Sequence, residues 1–215
     1  MDRRILFLSF LAFISGVLYV PFIEANVGNE NGITTWIVFP TASMVIVMLS
    51  SWIGLKLAEK ASVPMSILNK LNKNNPHSNS LPQLTFPLLL GLAISILIVV
   101  ANQFLQVPKN SGTLTERLLT TPWAAIITET ISHLLILSGL YLLIRNKLIS
   151  ILISSFLFII IFHLNIDLND RYVVMYLGLA NFAASSFTGW VYLKYGLGIA
   201  IITHAVMHSV ILGFN

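Results

Sequence analysis

The sequence predicts an all-α fold: a polytopic transmembrane helical bundle of about seven membrane helices, with its functional site in the C-terminal helices. Of its 215 residues, 56% are hydrophobic and only 9% are charged, whereas soluble domains carry about 25% charged residues. The mean hydropathy is +0.86, and the apolar residues form runs long enough to cross a bilayer. Because so few charges cannot cover a surface in water, we expect this chain to be solvated by lipid.

Seven apolar segments approach the roughly 20 residues that a membrane-spanning helix needs. They cover residues 5–23, 34–55, 84–107, 122–144, 148–165, 172–192 and 197–214. No small-x-small cleavage site follows the first segment, so we expect a retained helix there and not a signal peptide. We divide the chain into N-terminal membrane helices, residues 1–121, and a core of four membrane helices, residues 122–215.

The polar connections predict the orientation and two further helices. Nine of the 12 Lys and Arg residues fall on one side of the predicted bundle, the side of the N-terminus, and such an excess marks cytoplasmic loops. We therefore predict an integral protein of the bacterial inner membrane, with the N-terminus in the cytoplasm and the C-terminus outside. Residues 56–82 mix lysines with apolar residues and predict an amphipathic surface connection. Residues 108–121 predict a short surface helix beginning at Thr113 or Thr115.

The distribution of basic residues also bears on the partners. The net charge is +4, but the basic residues lie in short loops between apolar runs, so we expect no nucleic-acid partner. The expected partners are the lipid bilayer and a peptide or membrane-protein substrate. The sequence predicts no oligomeric state.

The most informative stretch is TETISH, which ends at His133 within the fourth apolar segment. It contains Glu129, four residues before His133, and residues at this spacing share one face of a helix. Ionisable side chains at membrane depth cost several kcal/mol and usually face a bundle interior or a water-filled cavity, so they mark candidate functional sites. Three further histidines, His163, His204 and His208, also lie in apolar segments.

The predicted topology allows these five residues to meet. At a rise of about 1.5 Å per residue, Glu129, His133, His163 and His208 fall in one layer of the outer half of the membrane. His204 lies one turn below His208, on the same helix face. The sequence therefore predicts one cluster of a carboxylate and four imidazoles.

Two kinds of chemistry fit such a cluster. Without cysteine there is no thiol nucleophile, and no Gly-x-Ser-x-Gly turn, paired intramembrane aspartates or HExxH motif is present. Glu129 as a general base for water, with imidazoles stabilising an oxyanion, makes a coherent hydrolytic site that needs no cofactor. The alternative is a Zn or Fe site with the ligands Glu129, His133, His163, His204 and His208.

From about residue 122 onward the chain resembles the CPBP family, the CAAX-protease and bacteriocin-processing (Abi) intramembrane endopeptidases. That family carries EExxxR, FxxxH and HxxxN motifs on successive helices, and the segments SSFLFIIIFHL and GWVYLKYGLGIAIITHAVMH resemble the second and third. The resemblance implies a glutamate-dependent intramembrane hydrolase with Glu129 as general base. It further implies that His163 helps to activate the water and that His204 and His208 stabilise the oxyanion.

The chain departs from these motifs at four positions. Thr130 stands at the second glutamate, Leu134 at the arginine and His208 at the asparagine, while Phe158 precedes His163 by five residues and not by four. A neutral histidine donates a hydrogen bond as asparagine does, so His208 can serve in that role. These departures leave a catalytically degenerate scaffold or immunity protein as a further alternative.

Overall fold

The computed structural model describes residues 2–27, 32–64, 81–107, 113–163 and 171–214, and all of its regular structure is helical. The elements are α1 (Arg3–Val27), α2 (Gly32–Lys60), α3 (Leu81–Phe104), α4 (Leu114–Thr128), a π-helical segment (Glu129–Leu137), α5 (Ser138–Ile144), α6 (Lys147–His163), α7 (Arg171–Tyr195) and α8 (Leu197–Phe214). Because α4, the π segment and α5 run on without a break, these elements form seven helical rods. The predicted all-α class is confirmed.

Five helices are long and apolar enough to cross a membrane: Arg3–Pro21, Thr35–Lys60, Leu84–Phe104, Arg117–Ile144 and Leu197–Phe214. The helix α6 is apolar but shorter, and α7 falls outside this set. The reason is visible in the sequence of α7, where Asn181, Ser185 and Thr188 interrupt the apolar run. The prediction of about seven spans is therefore supported for five of the described helices.

The predicted connections differ in part from the observed helices. Residues 56–60 of the predicted amphipathic connection continue α2, while residues 65–80 lie outside the described part of the chain. A helix does begin near the predicted position, at Leu114, but it is not a separate short helix, because it continues directly into the fourth apolar segment. The proposed boundary between residues 121 and 122 therefore lies inside a continuous helix.

Helix packing brings the C-terminal helices around the π segment. The helix α1 packs along α2 and α4, α2 packs on the π segment, and α8 packs between α3, α4 and α7. At the N-terminal end of α1, the Arg4 guanidinium forms ion pairs with Asp2 and with Glu59 of α2, each at 2.6 Å. Large apolar side chains such as Phe104 (83% exposed) and Leu143 (81% exposed) cover the outside, as expected of a surface that faces lipid.

Two tight backbone features fix where the site residues lie. Gly196 has a φ of 92°, a left-handed conformation that favours glycine, and it turns the chain sharply from α7 into α8. The second feature is the close contact of Gly54 on α2 with Leu134. A Cβ built at Gly54 would lie 2.8 Å from the Leu134 carbonyl oxygen. The small side chain at Gly54 therefore lets α2 approach the backbone of the π segment.

We predict that Gly54→Ala lowers the free energy of unfolding by about 1–3 kcal/mol relative to Gly178→Ala, because the added methyl group overpacks the contact with Leu134. Gly178 on α7 is the matched control, since a Cβ there meets no atom within 4 Å. Both substitutions add the same helix propensity, so their difference isolates the packing. Equal stability of the two variants in detergent unfolding would contradict this packing.

Candidate active site

The site is built on a π-helical turn in the middle of the fourth rod. In the segment Glu129–Leu137 the helix widens, and the backbone N–H of Ser138 donates to the carbonyl of His133, five residues earlier. Two hydroxyl groups bind carbonyls of this segment: Ser154 of α6 donates to the Ser132 carbonyl at 2.8 Å, and Ser138 donates to that of His133. π-helical turns are rare in proteins, and those that do occur are often found at functional sites.

Glu129, the first residue of this segment, has its carboxyl group held between two imidazoles. Its Oε2 lies 2.7 Å from Nδ1 of His133, and its Oε1 lies 2.7 Å from Nδ1 of His204 on α8. Glu129 and His133 are fully buried, while the His204 side chain is 18% exposed. A buried carboxyl group is stabilised only when it is paired or hydrogen-bonded, and here both oxygens are. The predicted association of Glu129, His133 and His204 is therefore present in the structure.

The second nitrogen of His133 fixes the proton count of the pair. Nε2 lies 3.2 Å from the backbone carbonyl oxygen of Ser185 on α7, and because a carbonyl only accepts, Nε2 must carry a proton. One further proton then lies between Nδ1 and Oε2. The pair is either imidazolium with carboxylate or imidazole with carboxylic acid, and in both cases its net charge is zero. A neutral pair is the form that a fully buried site tolerates best.

The imidazole ring of His133 packs closely against α7. A Cβ at Gly189 of α7 would lie 3.1 Å from Nε2, and the ring stacks on Tyr192 with centroids 6.1 Å apart. The hydroxyl groups of Tyr192 and Ser138 are hydrogen-bonded to each other. His133 thus links the π segment to α7 as a buried structural contact.

A cavity of about 230 Å³ lies beside this network, between α4, α6, α7 and α8. His204 and His208 line it, together with Phe158, whereas Glu129 is not among the lining residues. With Nδ1 directed at Glu129, the Nε2 edge of His204 has no hydrogen-bond partner in the described part of the chain. His208 contacts Thr121 through Nδ1 at 3.4 Å, and the two imidazole rings are 6.0 Å apart.

Sequence reasoning missed the polar wall that α7 contributes. Asn181, Ser185 and Thr188 line the same cavity, and their spacing of four and three residues places them on one helix face. The signal was present in the sequence, because these residues are the polar interruptions of an otherwise apolar segment. They were overlooked because none of them is ionisable.

Two of the positions that depart from the family motifs, Leu134 and Thr130, are buried in the helix packing. Leu134 is fully buried against Gly54 of α2, so an arginine at this position would enter an apolar helix contact. Thr130 is also fully buried, and its hydroxyl group has no hydrogen-bond partner among the described residues. The helix α6 ends at His163, but the side chain of His163 lies outside the described residues, so its expected role stays a prediction.

The predicted metal site has no ready-made ligand set in the described ranges. No group of three or more His, Asp or Glu side chains there is arranged to hold a metal ion. The Nδ1 atoms of His133 and His204 are each turned toward an oxygen of Glu129. The residues therefore form a hydrogen-bonded network, and a zinc or iron centre stays a prediction that requires a rearrangement of these contacts.

We predict that His133→Ala lowers the free energy of unfolding by about 3 kcal/mol, because the change leaves a buried carboxyl oxygen without its partner. His208→Ala is the matched control: it removes an imidazole that is partly exposed and makes a 3.4 Å contact, so a loss of about 1 kcal/mol is expected. Unfolding of both variants in mixed micelles measures the difference. Equal losses would contradict the buried role of His133.

Comparison with protein-family models supports a family assignment for the C-terminal half of the chain. The model of the family described as "Type II CAAX prenyl endopeptidase Rce1-like" matches residues 110–210. This match spans the π segment, the cavity and the histidines of α8. The comparisons with curated proteins and with solved structures give no significant match. The family and the apolar helices support an integral membrane protein and suggest protease activity of the CAAX type. The match over residues 110–210 therefore supports membership of the CPBP family of intramembrane endopeptidases.

Proposed function

We propose that the protein is a glutamate-dependent intramembrane endopeptidase that hydrolyses a peptide bond of a membrane-associated peptide or protein. The observation that carries this proposal is the contact of 2.7 Å between Glu129 Oε1 and Nδ1 of His204, because His204 lines the cavity while Glu129 lies behind it. An imidazole that donates from Nδ1 to a carboxylate exposes a basic lone pair on Nε2. This arrangement supplies a base beside a cavity at membrane depth.

In the proposed reaction, Nε2 of His204 takes a proton from a water molecule as the water oxygen attacks the peptide carbonyl carbon. Glu129 stabilises the imidazolium that forms, and His133 holds Glu129 in position from the other side. The tetrahedral intermediate then collapses: the C–N bond breaks, and the leaving nitrogen takes the proton back from His204. The resemblance gives Glu129 the role of direct base, but both of its oxygens are bonded here, so we assign its action through His204.

The oxyanion needs hydrogen-bond donors on the same cavity wall. When the Thr121 hydroxyl group donates to Nδ1 of His208, the His208 proton lies on Nε2 and is free to donate. The carboxamide of Asn181 on α7 is a second donor that lines the cavity. We assign these two side chains to the oxyanion, with His163 as a further candidate for activating the water.

The orientation of the chain belongs to the same proposal. With the N-terminus in the cytoplasm of a bacterial cell, the cavity lies in the outer half of the inner membrane. A substrate that reaches it there is an exported or membrane-resident peptide. A cytosolic protein with a modified C-terminus would approach from the opposite side.

We predict that Glu129→Gln lowers kcat/KM for cleavage of a membrane peptide library by about 100-fold or more, since the variant loses the charge that stabilises the imidazolium. Glu59→Gln is the matched control, because Glu59 is an exposed carboxylate paired with Arg4. Equal turnover by wild type and Glu129→Gln, or no turnover by either, rejects the enzyme and favours the scaffold alternative. If removing bound Zn or Fe abolishes cleavage and adding the metal back restores it, the metal alternative is favoured.

The position of His208 offers a second test, because the family motif has asparagine there. We predict that His208→Asn keeps kcat/KM within about tenfold of wild type, whereas His208→Ala loses about 100-fold, the usual effect of removing one oxyanion donor. The side-chain amide of asparagine replaces the imidazole N–H as donor. Equal activity of the asparagine and alanine variants would count against the oxyanion role.

A further inference from the structure

Arg117 on α4 is partly buried, and two of its guanidinium nitrogens lack hydrogen-bond partners among the described residues. Its Nε and Nη1 atoms are buried and have no hydrogen-bond partner among the described residues. Arginine stays charged in proteins, and each of its N–H groups is a donor that a carboxylate oxygen can accept. An unpaired buried charge is costly, so this geometry favours a ligand that supplies the missing acceptors.

The surroundings of Arg117 form a pocket of about 250 Å³. Among the described residues its lining consists of Tyr19, Arg117, Thr120, Trp123, Ala124, His208 and Leu212, none of which carries a carboxylate. The hydroxyl group of Thr120 already donates to the Arg117 carbonyl at 2.6 Å. No side chain that the structure describes in this lining therefore neutralises the guanidinium.

The pocket adjoins the cavity of the candidate active site. Trp123, Ala124 and His208 line both spaces. Trp123 is fixed in this shared wall, since its ring stacks on Tyr19 with centroids 4.5 Å apart and its Nε1 donates to Ser43 Oγ at 2.9 Å. A ligand that lies along His204 and His208 therefore has a short route to Arg117.

We propose that Arg117 binds a carboxylate of the substrate peptide, either at its C-terminus or on an Asp or Glu side chain, while neighbouring residues of the peptide lie beside His204 and His208. This proposal rests on the proposed function in one respect: the peptidase activity is the reason for taking the ligand to be a peptide. A charge-assisted contact with Arg117 fixes the distance between the carboxylate and the peptide bond beside the imidazoles. The residue thus selects which bond enters the cavity.

The test compares the binding of three fluorescently labelled, eight-residue apolar peptides to the full chain in phosphatidylcholine nanodiscs, with empty nanodiscs as background. One peptide ends in a carboxylate, the second ends in a carboxamide, and the third ends in a carboxamide but carries one glutamate. We expect wild type to bind at least one carboxylate peptide about tenfold to 100-fold more tightly than the neutral peptide, the usual effect of a charge-assisted contact.

In Arg117→Gln this preference disappears, and in Arg117→Lys, which keeps the charge but not the guanidinium, part of it remains. Because Arg117 has donors without partners among the described residues, Arg117→Gln should unfold at a temperature no lower than that of wild type. Three outcomes overturn the subsite: equal binding of all peptides by wild type, a preference that survives Arg117→Gln, and binding of none of them. If the protein prefers carboxylate peptides but cleaves none, the proposed function is rejected and the subsite is kept. If it cleaves peptides without such a preference, the subsite is rejected and the proposed function is kept.

Discussion

The site depends on one buried carboxyl group with an imidazole on each oxygen. Glu129 joins the π segment to α8 through His204, and His133 joins the same segment to α7 through the Ser185 carbonyl. Without these partners, a carboxyl group at zero exposure would carry a large desolvation cost. The same three contacts therefore hold three helices together and leave the Nε2 edge of His204 at the cavity, without a hydrogen-bond partner among the described residues. Stability and the proposed chemistry share these atoms.

The π segment determines how this network is placed in the bundle. Its widened turn presents the carbonyls of Ser132 and His133 to the hydroxyl groups of Ser154 and Ser138, so that serine side chains support the irregular backbone. On the opposite face, Leu134 packs against Gly54 of α2. Hydroxyl groups on one side and a close backbone contact on the other hold the turn that carries Glu129 and His133.

Much of this arrangement could be predicted from the sequence. Long apolar runs leave helices as the regular structure available to them in lipid, and ionisable groups at membrane depth stand out because they are costly. Those two rules gave the helical rods and the association of Glu129, His133 and His204. The π turn was not predicted, because the apolar pattern of this segment does not distinguish it from an α-helix and the supporting contact of Ser154 with Ser132 comes from another helix. The wall formed by Asn181, Ser185 and Thr188 was missed because neutral polar residues carry a weaker signal.

The most direct test of the account is a double-mutant cycle of Glu129→Gln and His204→Gln on the free energy of unfolding in mixed micelles. Because the two side chains share a buried contact, the losses should be coupled by about 1–3 kcal/mol. The double variant would then lose less stability than the sum of the two single variants. Losses that add within about 0.5 kcal/mol would contradict the claim that Glu129 and His204 act as one unit.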